Sequence, residues 1–405
     1  MTKHAAFIST PLLHSLATRR NAPRALAQCT AASAPSVIEG RVEEDIPSTL
    51  PSSLHIGNLQ ISPPVVLAPM AGVTNYPFRK LCRTHGAALY VSEMVLASSL
   101  LSGQPTTRLR FGVDEDLRSA QLYGTDPSNI AAAANFLINH HGVKHIDLNF
   151  GCPAPKVLRR GGGAAIPADE HVLAQIASAA VTVATPYGVP VTAKMRAGLS
   201  PSHLTYARAG QVLQDCGVAA ITLHTRTANQ LYAKGAGRAN WDRIRHLQQL
   251  LDIPVIGNGD VFTAQDAVDM LRETGAAGVA IGRGCLGRPW LFRDLREALE
   301  TGRTNTITVP PFEQVRDTMM EHVREAVDWM AADQVDELAA LKSMRKWFAW
   351  YWRGYEGLPG DWTTQMCKAE TLEQFEEISN AFDGKGVGFA LNKVVGERGK
   401  VGGIT

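Results

Sequence analysis

The sequence predicts an α/β fold: a (β/α)8 TIM barrel over residues 54–305, followed by a small C-terminal helical bundle over 306–405. Three observations carry this. Eight short runs rich in Val, Ile and Leu recur between residues 65 and 284. Amphipathic stretches of helical period separate most of them. Polar and ionisable residues gather at the runs' C-terminal ends. Alternating strands and helices, with strands apolar nearly throughout, imply a parallel sheet buried on both faces. Eight such units close into a barrel. An open doubly wound sheet is the alternative, but no GxGxxG follows the first run.

Taken in order, "VVLAPM" (65–70) is the first strand and "LYVSEM" (89–94) the second. The gap between the second and the third, "SAQLYG" (119–124), is poor in helix signal. "PSNIAAAANFLINHHG" (127–142) is then a helix leading into "HIDLNFG" (145–151). "VTAKMR" (191–196) is the fifth strand, and "HLTYARAGQVLQDCG" (203–217) is the helix before "AITLHTR" (220–226). "PVIGNGD" (254–260), helix "TAQDAVDMLRETG" (263–275) and "GVAIGRG" (278–284) complete the set.

Composition removes several function classes. No stretch approaches the ~20 apolar residues that cross a bilayer, so no membrane span is expected. Forty Lys and Arg against 38 Asp and Glu leave the chain almost neutral, and any polyanion must be held by local patches. Six cysteines, at 29, 82, 152, 216, 285 and 367, are scattered without a CxxC pair. That argues against structural zinc and against a disulfide framework, and suits a reducing compartment. The first 38 residues carry Lys3, Arg19, Arg20 and Arg24 with no acid before Glu39. Two readings stand: an organellar transit peptide, or a disordered tail (residues 1–53) on a cytoplasmic protein.

In a barrel of this kind the chemistry sits at the C-terminal ends of the strands. Those ends read Pro69-Met70-Ala71, Glu93, Gln121, Asn149 with Cys152, Lys194 with Arg196, His224 with Arg226, Asn258-Gly259-Asp260, and Gly282-Arg283. Nearly every strand delivers a polar group to one rim. "IGNGD" and "IGRG", after the seventh and eighth strands, place glycines where main-chain N–H groups can approach an anion, and Arg283 adds charge. A phosphorylated cofactor is the expected ligand, with Lys194 and His224 aimed at its ring and phosphate. Cys152, at a strand exit rather than inside an apolar run, reads as a reactive thiol.

The motifs "APMAGVTNYPFRKLC", "QLYG", "DLNFGCPAPKV…GGGAA", "VTAKMR", "TLHTRT", "IGNGD" and "GRGCLGRPWLF" resemble the tRNA-dihydrouridine synthase family, nearest its bacterial B-type branch. The resemblance runs from about residue 54 to about residue 355. It implies an FMN-bound barrel that reduces the C5–C6 double bond of specific tRNA uridines with NADPH as reductant, and a helical domain that binds tRNA. It further implies that Pro69, Met70, Ala71, Gln121 and Lys194 contact the flavin. Asn258, Gly259, Asp260, Gly282 and Arg283 would hold its phosphate end, with His224 nearby. Cys152 matches the general acid that protonates C5 after hydride reaches C6, because a thiol with a pKa near ~8.5 is mostly protonated at neutral pH. Asn149 is expected at the uracil edge, and Arg196 and Arg226 toward substrate, with Arg159 and Arg160 steering phosphates. The chain departs from the family pattern in "RRGGGAAI" (159–166) and in a long "QLYAKGAGRANW" (230–241).

Beyond the linker "RTNTITVPPF" (303–312), two helices are expected, at 312–332 and 336–355. In the second, Lys342, Arg345, Lys346 and Arg353 share a face and are interleaved with Trp347, Phe348, Trp350, Tyr351 and Trp352. This is the pattern of a phosphate-backbone contact, set against the plainer reading of a packed helix with a solvated charged face. The end, 382–405, has no clear pattern and is expected to be loosely ordered. Two other functions fit parts of the sequence. One is an FMN-dependent barrel reductase of a small ene or pyrimidine substrate, against which the basic C-terminal helix argues. The other is an RNA-binding protein with a silent barrel, against which Asn149, Cys152, Lys194 and His224 argue.

Overall fold

All eight β-branched runs become strands of one closed parallel barrel. The computed structural model describes residues 50–102, 109–230, 237–304, 307–390 and 393–394. Expectations for residues 1–49, 231–236 and most of the C-terminal tail lie outside them. The strands are β1 (Val65–Leu67), β2 (Leu89–Leu96), β3 (Ser119–Tyr123), β4 (His145–Phe150), β5 (Val191–Arg196), β6 (Ala220–His224), β7 (Val255–Asn258) and β8 (Gly278–Ile281). Val279 of β8 stands opposite Val65 of β1, which closes the ring. Each strand is followed by a helix: α1 (Tyr76–Thr84), α2 (Ala97–Leu101), α3 (Pro127–His141), α4 (Glu170–Ala184), α5 (Tyr206–Asp215), α6 (Asp242–Leu250), α7 (Ala264–Thr274) and α8 (Leu291–Thr301). The helix-poor gap after β2 opens with the short α2.

Local signals set these boundaries. Asp126 caps α3 by accepting from the Asn129 N–H, Pro127 occupies the first turn, and Gly142 ends the helix in the left-handed conformation. Thr263 and Asp266 form a reciprocal capping box at α7.

Period-2 alternation divides each strand between the helical jacket and the barrel interior. Val65, Leu67, Ile146, Leu148, Ala193 and Met195 face the helices. Inside, Val66, Ala68, Leu89, Val91, Ile256 and Ala280 make a small apolar cluster, and an N-terminal hairpin (Leu54–Ile56 with Leu59–Ile61) packs against its bottom. His145, Asp147, Thr192, Lys194 and Thr222 share that interior, facing the apolar cluster across a small cavity. One half of the barrel interior is therefore polar.

The C-terminal bundle comprises α9 (Phe312–Ala331), α10 (Glu337–Tyr351), α11 (Trp362–Lys368) and α12 (Leu372–Asn380). It packs on α1: Phe78 lies 4.5 Å from Trp347 and Tyr76 4.3 Å from Trp329 between ring centroids. Arg110 stacks on Trp329 at 3.8 Å and pairs with Asp333. The aromatic residues of α10 and its end, Trp347, Phe348, Trp350, Tyr351 and Trp352, are all buried. They form the bundle's core, as the plainer reading held. The tail also departs from expectation: Gly388–Phe389 pairs antiparallel with Tyr355–Glu356, and Val394 is buried. No helix among the described residues is long and apolar enough to cross a membrane.

Candidate active site

A cleft of about 1170 Å³, counting its open mouth, lies at the C-terminal ends of the strands. It is lined by Pro69, Met70, Ala71, Gln121, Asn149, Cys152, Lys194, Arg196, His224, Asn258, Gly259, Asp260, Gly282 and Arg283. Every strand-end residue the sequence assigned to a cofactor is in this one wall. Parallel pairing produces the convergence. Asn149 stands opposite Lys194, and His224 sits between Arg196 and Asn258.

One end of the cleft fits a phosphate. Among the described residues, the main-chain N–H groups of Gly259 and Gly282 donate to no main-chain carbonyl. A Cβ added to Gly282 would meet only Met70 Sδ, at 3.8 Å, so this face is open to the cleft. Gly259 has φ +129°, and a Cβ there would press on His224 at 3.2 Å. Open N–H groups beside a guanidinium make an anion cradle. Asp260, itself in the left-handed region with φ +57°, is buried, and its carboxylate is fully engaged. It accepts from Arg226 Nη1 at 2.6 Å and Nη2 at 2.8 Å, from Arg283 Nη2 at 3.2 Å and from the Ala239 N–H at 2.8 Å. A carboxylate repels a phosphate, so Asp260 acts by holding Arg283 in place. Arg226 corrects an expectation: it is 2 % exposed and donates to Asp260 and to the Gly237 carbonyl. It is a buried brace and does not reach a substrate.

The other end carries the reactive groups. Burial pushes Lys194 down to about 8, helped by the charge of Arg196 and opposed by Asp147 and Cys152. Burial, together with Arg196, Lys194, Arg226 and Arg283, drives His224 well below its ordinary range, so its imidazole is neutral at pH 7. Arg196 lines the floor, but its Nε donates to the Gly151 carbonyl and its Nη1 to that of Thr227, both at 3.0 Å. Its placement fixes the loop that carries Cys152. Burial raises the Cys152 thiol above the usual thiol range, against the pull of the Ala154 N–H, Arg196 and Lys194. The group is a thiol at neutral pH.

The loop behind Cys152 explains the last of the three glycines. Gly163, with φ +58°, lies so close that an added Cβ would fall 2.6 Å from the Cys152 carbonyl oxygen. That same oxygen accepts from the Ala164 N–H at 3.1 Å. Asn149 closes the other side, its Oδ1 accepting from the N–H groups of Gly151 at 3.1 Å and Cys152 at 2.9 Å. Its Nδ2 donates to Gln121 Oε1 at 3.0 Å and lies 3.2 Å from Met94 Sδ. The side chain expected at the uracil edge is thus committed to shaping the thiol's turn.

Lys342, Arg345 and Lys346 do not line the cleft. Lys342 is exposed and Arg345 half-buried on α10. Lys346 points back to the barrel: its ammonium donates to the Gly72 carbonyl, while the Gly72 N–H donates to Glu93 Oε2. Burial lowers its pKa and Glu93 raises it. Lys346 therefore braces the loop that carries Met70 and Ala71, while its side chain stays exposed on α10. Sequence reasoning also missed Met94, Phe262 and, beneath the cleft, Asp147 with Thr192. The alternation in "HIDLNFG" does place His145, Asp147 and Asn149 on one face, and that was the available signal.

Comparison with known proteins agrees with this geometry. The chain matches the family model described as dihydrouridine synthase over residues 66–383. It is 40 % identical over 360 residues to a probable tRNA-dihydrouridine synthase of Mycobacterium tuberculosis, covering 86 % of this chain and 89 % of that one. It is 38 % identical to tRNA-dihydrouridine synthase B of Xanthomonas axonopodis pv. citri, covering 78 % and 92 %. Against tRNA-dihydrouridine synthase B of Yersinia pestis it is 36 % identical, covering 82 % and 99 %. A match spanning both barrel and bundle, at nearly the relatives' full length, places this chain in the dihydrouridine synthase family.

Proposed function

We propose that this chain is an FMN-dependent enzyme that reduces the C5–C6 double bond of uridine in tRNA, with NADPH as reductant and Cys152 as proton donor. The observation that carries the reading is a half-buried thiol, Cys152, in the same cleft as an open anion cradle, with burial favouring its protonated form. Gly259, Gly282 and Arg283 would hold the cofactor's phosphate, and His224, as a neutral imidazole, would add a hydrogen bond there. Pro69, Met70, Ala71, Gln121 and Lys194 would line its ring. A reduced flavin supplies hydride, here to C6 of the uracil. The enolate left at C5 takes the Cys152 proton, and the resulting thiolate regains one from water. Lys194 and Arg196 stabilise that transient thiolate electrostatically, since both lower its pKa.

A uridine must leave its stack to enter such a cleft. Lys342 and Arg345 on α10, with Arg159 and Arg160 exposed beside the Cys152 loop, are proposed to bind phosphates. The soluble, cytoplasmic setting of tRNA is the proposed location. The test is to incubate purified protein with NADPH and unmodified tRNA and map dihydrouridine at single-nucleotide resolution, alongside Cys152→Ala. A defined site that fades in the variant is expected. An NADPH-oxidising yellow protein that leaves tRNA unmodified would overturn the tRNA assignment in favour of a small-molecule reductase.

A further inference from the structure

Beneath the cleft, side chains of β3, β4 and β5 form one unbroken hydrogen-bonded line. Ser119 Oγ lies 2.7 Å from His145 Nδ1, and His145 Nε2 lies 2.9 Å from Thr192 Oγ1. Thr192 Oγ1 donates to Asp147 Oδ1 at 2.6 Å, and Gln121 Nε2 donates to Asp147 Oδ2 at 2.7 Å. Gln121 Oε1 accepts from Asn149 Nδ2, whose Oδ1 accepts from the Gly151 and Cys152 N–H groups. Gln121 is 2 %, Asp147 3 % and Asn149 9 % exposed, so each depends chiefly on its protein partners for hydrogen bonds.

An amide is a directional link: one end only donates, the other only accepts. A carboxylate accepts at both oxygens. Burial raises the Asp147 carboxyl, and the hydrogen bonds from Thr192 and Gln121 and the Lys194 ammonium oppose that rise; with Asp147 accepting as the carboxylate, Gln121 must present its NH2 to Asp147 and its carbonyl to Asn149. Asn149 must then present its NH2 to Gln121 and its carbonyl to the Cys152 turn. The same logic runs the other way. Thr192 has one proton and gives it to Asp147, so His145 must be the Nε2–H tautomer and Ser119 must donate to Nδ1. Burial lowers His145 to about 4, which keeps the ring neutral and the tautomer meaningful.

We infer that Asp147 is a positioning residue that sets the direction of this relay and, through Gln121 and Asn149, holds the turn that aims the Cys152 thiol. The inference rests on the proposed role of Cys152 for its significance, but its geometry does not depend on that role. Asp147 is not itself part of the cleft wall. Its carboxylate acts on the thiol's turn from two amides away.

The relay can be reversed by exchanging its ends. Asn149→Asp alone puts carboxylates at both ends of Gln121, which has only one NH2 to offer: one contact becomes oxygen against oxygen, or one carboxyl must take up a proton to donate there, and either costs stability. Asp147→Asn with Asn149→Asp restores the bonds from Thr192 to the Cys152 turn in the opposite sense, losing only the Asn149 Nδ2 contact with Met94 Sδ. The amide introduced by Asp147→Asn would donate to Gln121 Oε1. Gln121 Nε2 would donate to the carboxylate introduced by Asn149→Asp, which still accepts from the Cys152 turn. Thr192 still donates to position 147. The readout is the rate of Cys152 alkylation by iodoacetamide in the full-length chain at about pH 7.5, close to neutral so that the thiol stays largely protonated, followed by peptide mass mapping. The thermal midpoint is measured in parallel.

The frustrated single variant is expected to alkylate at least about fivefold faster than the double variant, a ratio typical of losing one net buried hydrogen bond. It should also melt lower, with the double variant near wild type in both. Simple charge predicts the reverse order, because the double variant has one fewer carboxylate near the thiol. If the single variant yields no soluble protein, recovery of soluble double variant is the same rescue. A double variant no better than the single, or a single variant indistinguishable from wild type, overturns the inference. Neither readout requires flavin turnover or tRNA. A failure to form dihydrouridine would therefore count against the proposed function and not against the relay.

Discussion

Replacing Gly163 with alanine places a methyl carbon 2.6 Å from the Cys152 carbonyl oxygen and 3.0 Å from both Cys152 Cβ and Val157 Cγ1. Real Cβ atoms essentially never approach closer than 3.0 Å, so the gap must open by at least the difference, 3.0 − 2.6 = 0.4 Å. The atom in the way is main chain and has no rotamer to change. Opening it stretches the 3.1 Å bond from Ala164 N–H to the same oxygen toward about 3.5 Å, where little of it survives. Alanine also pays for φ +58°, about 1–2 kcal/mol for a residue with a Cβ. With about 1 kcal/mol for the weakened bond, the total is about 2–3 kcal/mol, which the fold can absorb. Catalysis should suffer more. A misplacement of about 1 Å can cost about a hundredfold, so a shift of this size in the thiol is expected to lower single-turnover dihydrouridine formation on the order of tenfold. Gly161→Ala is the control. Gly161 has φ +72° with nothing within 4 Å of an added Cβ, so it carries the backbone cost without the collision. The assay is the single-turnover rate on unmodified tRNA for both variants, with thermal midpoints. A Gly163→Ala rate within about twofold of wild type, or equal losses in the two variants, would refute the reasoning.

Further outcomes are expected. Lys346→Met should free the Gly72 carbonyl and weaken FMN binding by about fivefold, the scale of one partly exposed charge-assisted hydrogen bond, measured by fluorescence titration; unchanged affinity would refute the brace. Asp260→Ala leaves Arg226 and Arg283 buried without their carboxylate and should cost about 3–5 kcal/mol, read as a large fall in the thermal midpoint. The sign of the pH response follows from burial. The Cys152 thiol donates only when protonated, and its pKa is raised, so single-turnover activity should hold through neutral pH. It should fall only as pH rises beyond the ordinary thiol range. Lys194, charged below about 8, should lose its attraction for an anionic cofactor above that pH, and FMN titrations of flavin-free protein should weaken there. Lys342→Ala with Arg345→Ala should reduce the salt slope of tRNA binding by about 0.7–0.9 for each phosphate no longer neutralised; an unchanged slope would remove α10 from the RNA surface.

The barrel was legible because its signal is repeated. Each strand is an apolar run, each strand end is polar, and eight weak statements reinforce one another. The cleft was legible for the same reason, since a barrel sends all strand ends to one rim. What escaped was pairing. Arg226 and Lys346 are charged residues near an opening, and sequence alone does not say that Asp260 and the Gly72 carbonyl reach them first. Asn149 is polar beside a reactive thiol, and nothing in its identity shows that both ends of its amide are taken. The aromatics of α10 carry the same ambiguity: five large rings in six positions beside basic residues suit a packed helix or a phosphate-backbone contact, and contacts with Phe78 of α1 and Phe375 of α12 show that the rings themselves are packed. Asp147 was hidden in plain view, an acid inside an apolar run whose alternation points it inward.

The bundle's seat on the barrel has a consequence for which uridine is chosen. Lys80 with Glu325, Arg110 with Trp329 and Asp333, Phe78 with Trp347, and Lys346 with Gly72 fasten α9 and α10 to the β1–α1 segment and its neighbours. The linker is not what positions the bundle. The span from Lys342 and Arg345 to the Cys152 thiol then behaves as a ruler of fixed length. If Lys342 and Arg345 hold the RNA as proposed, the selected base is the one that lies at the matching distance along the folded RNA, and moving the ruler's seat on α1 changes the choice without redesigning the cleft.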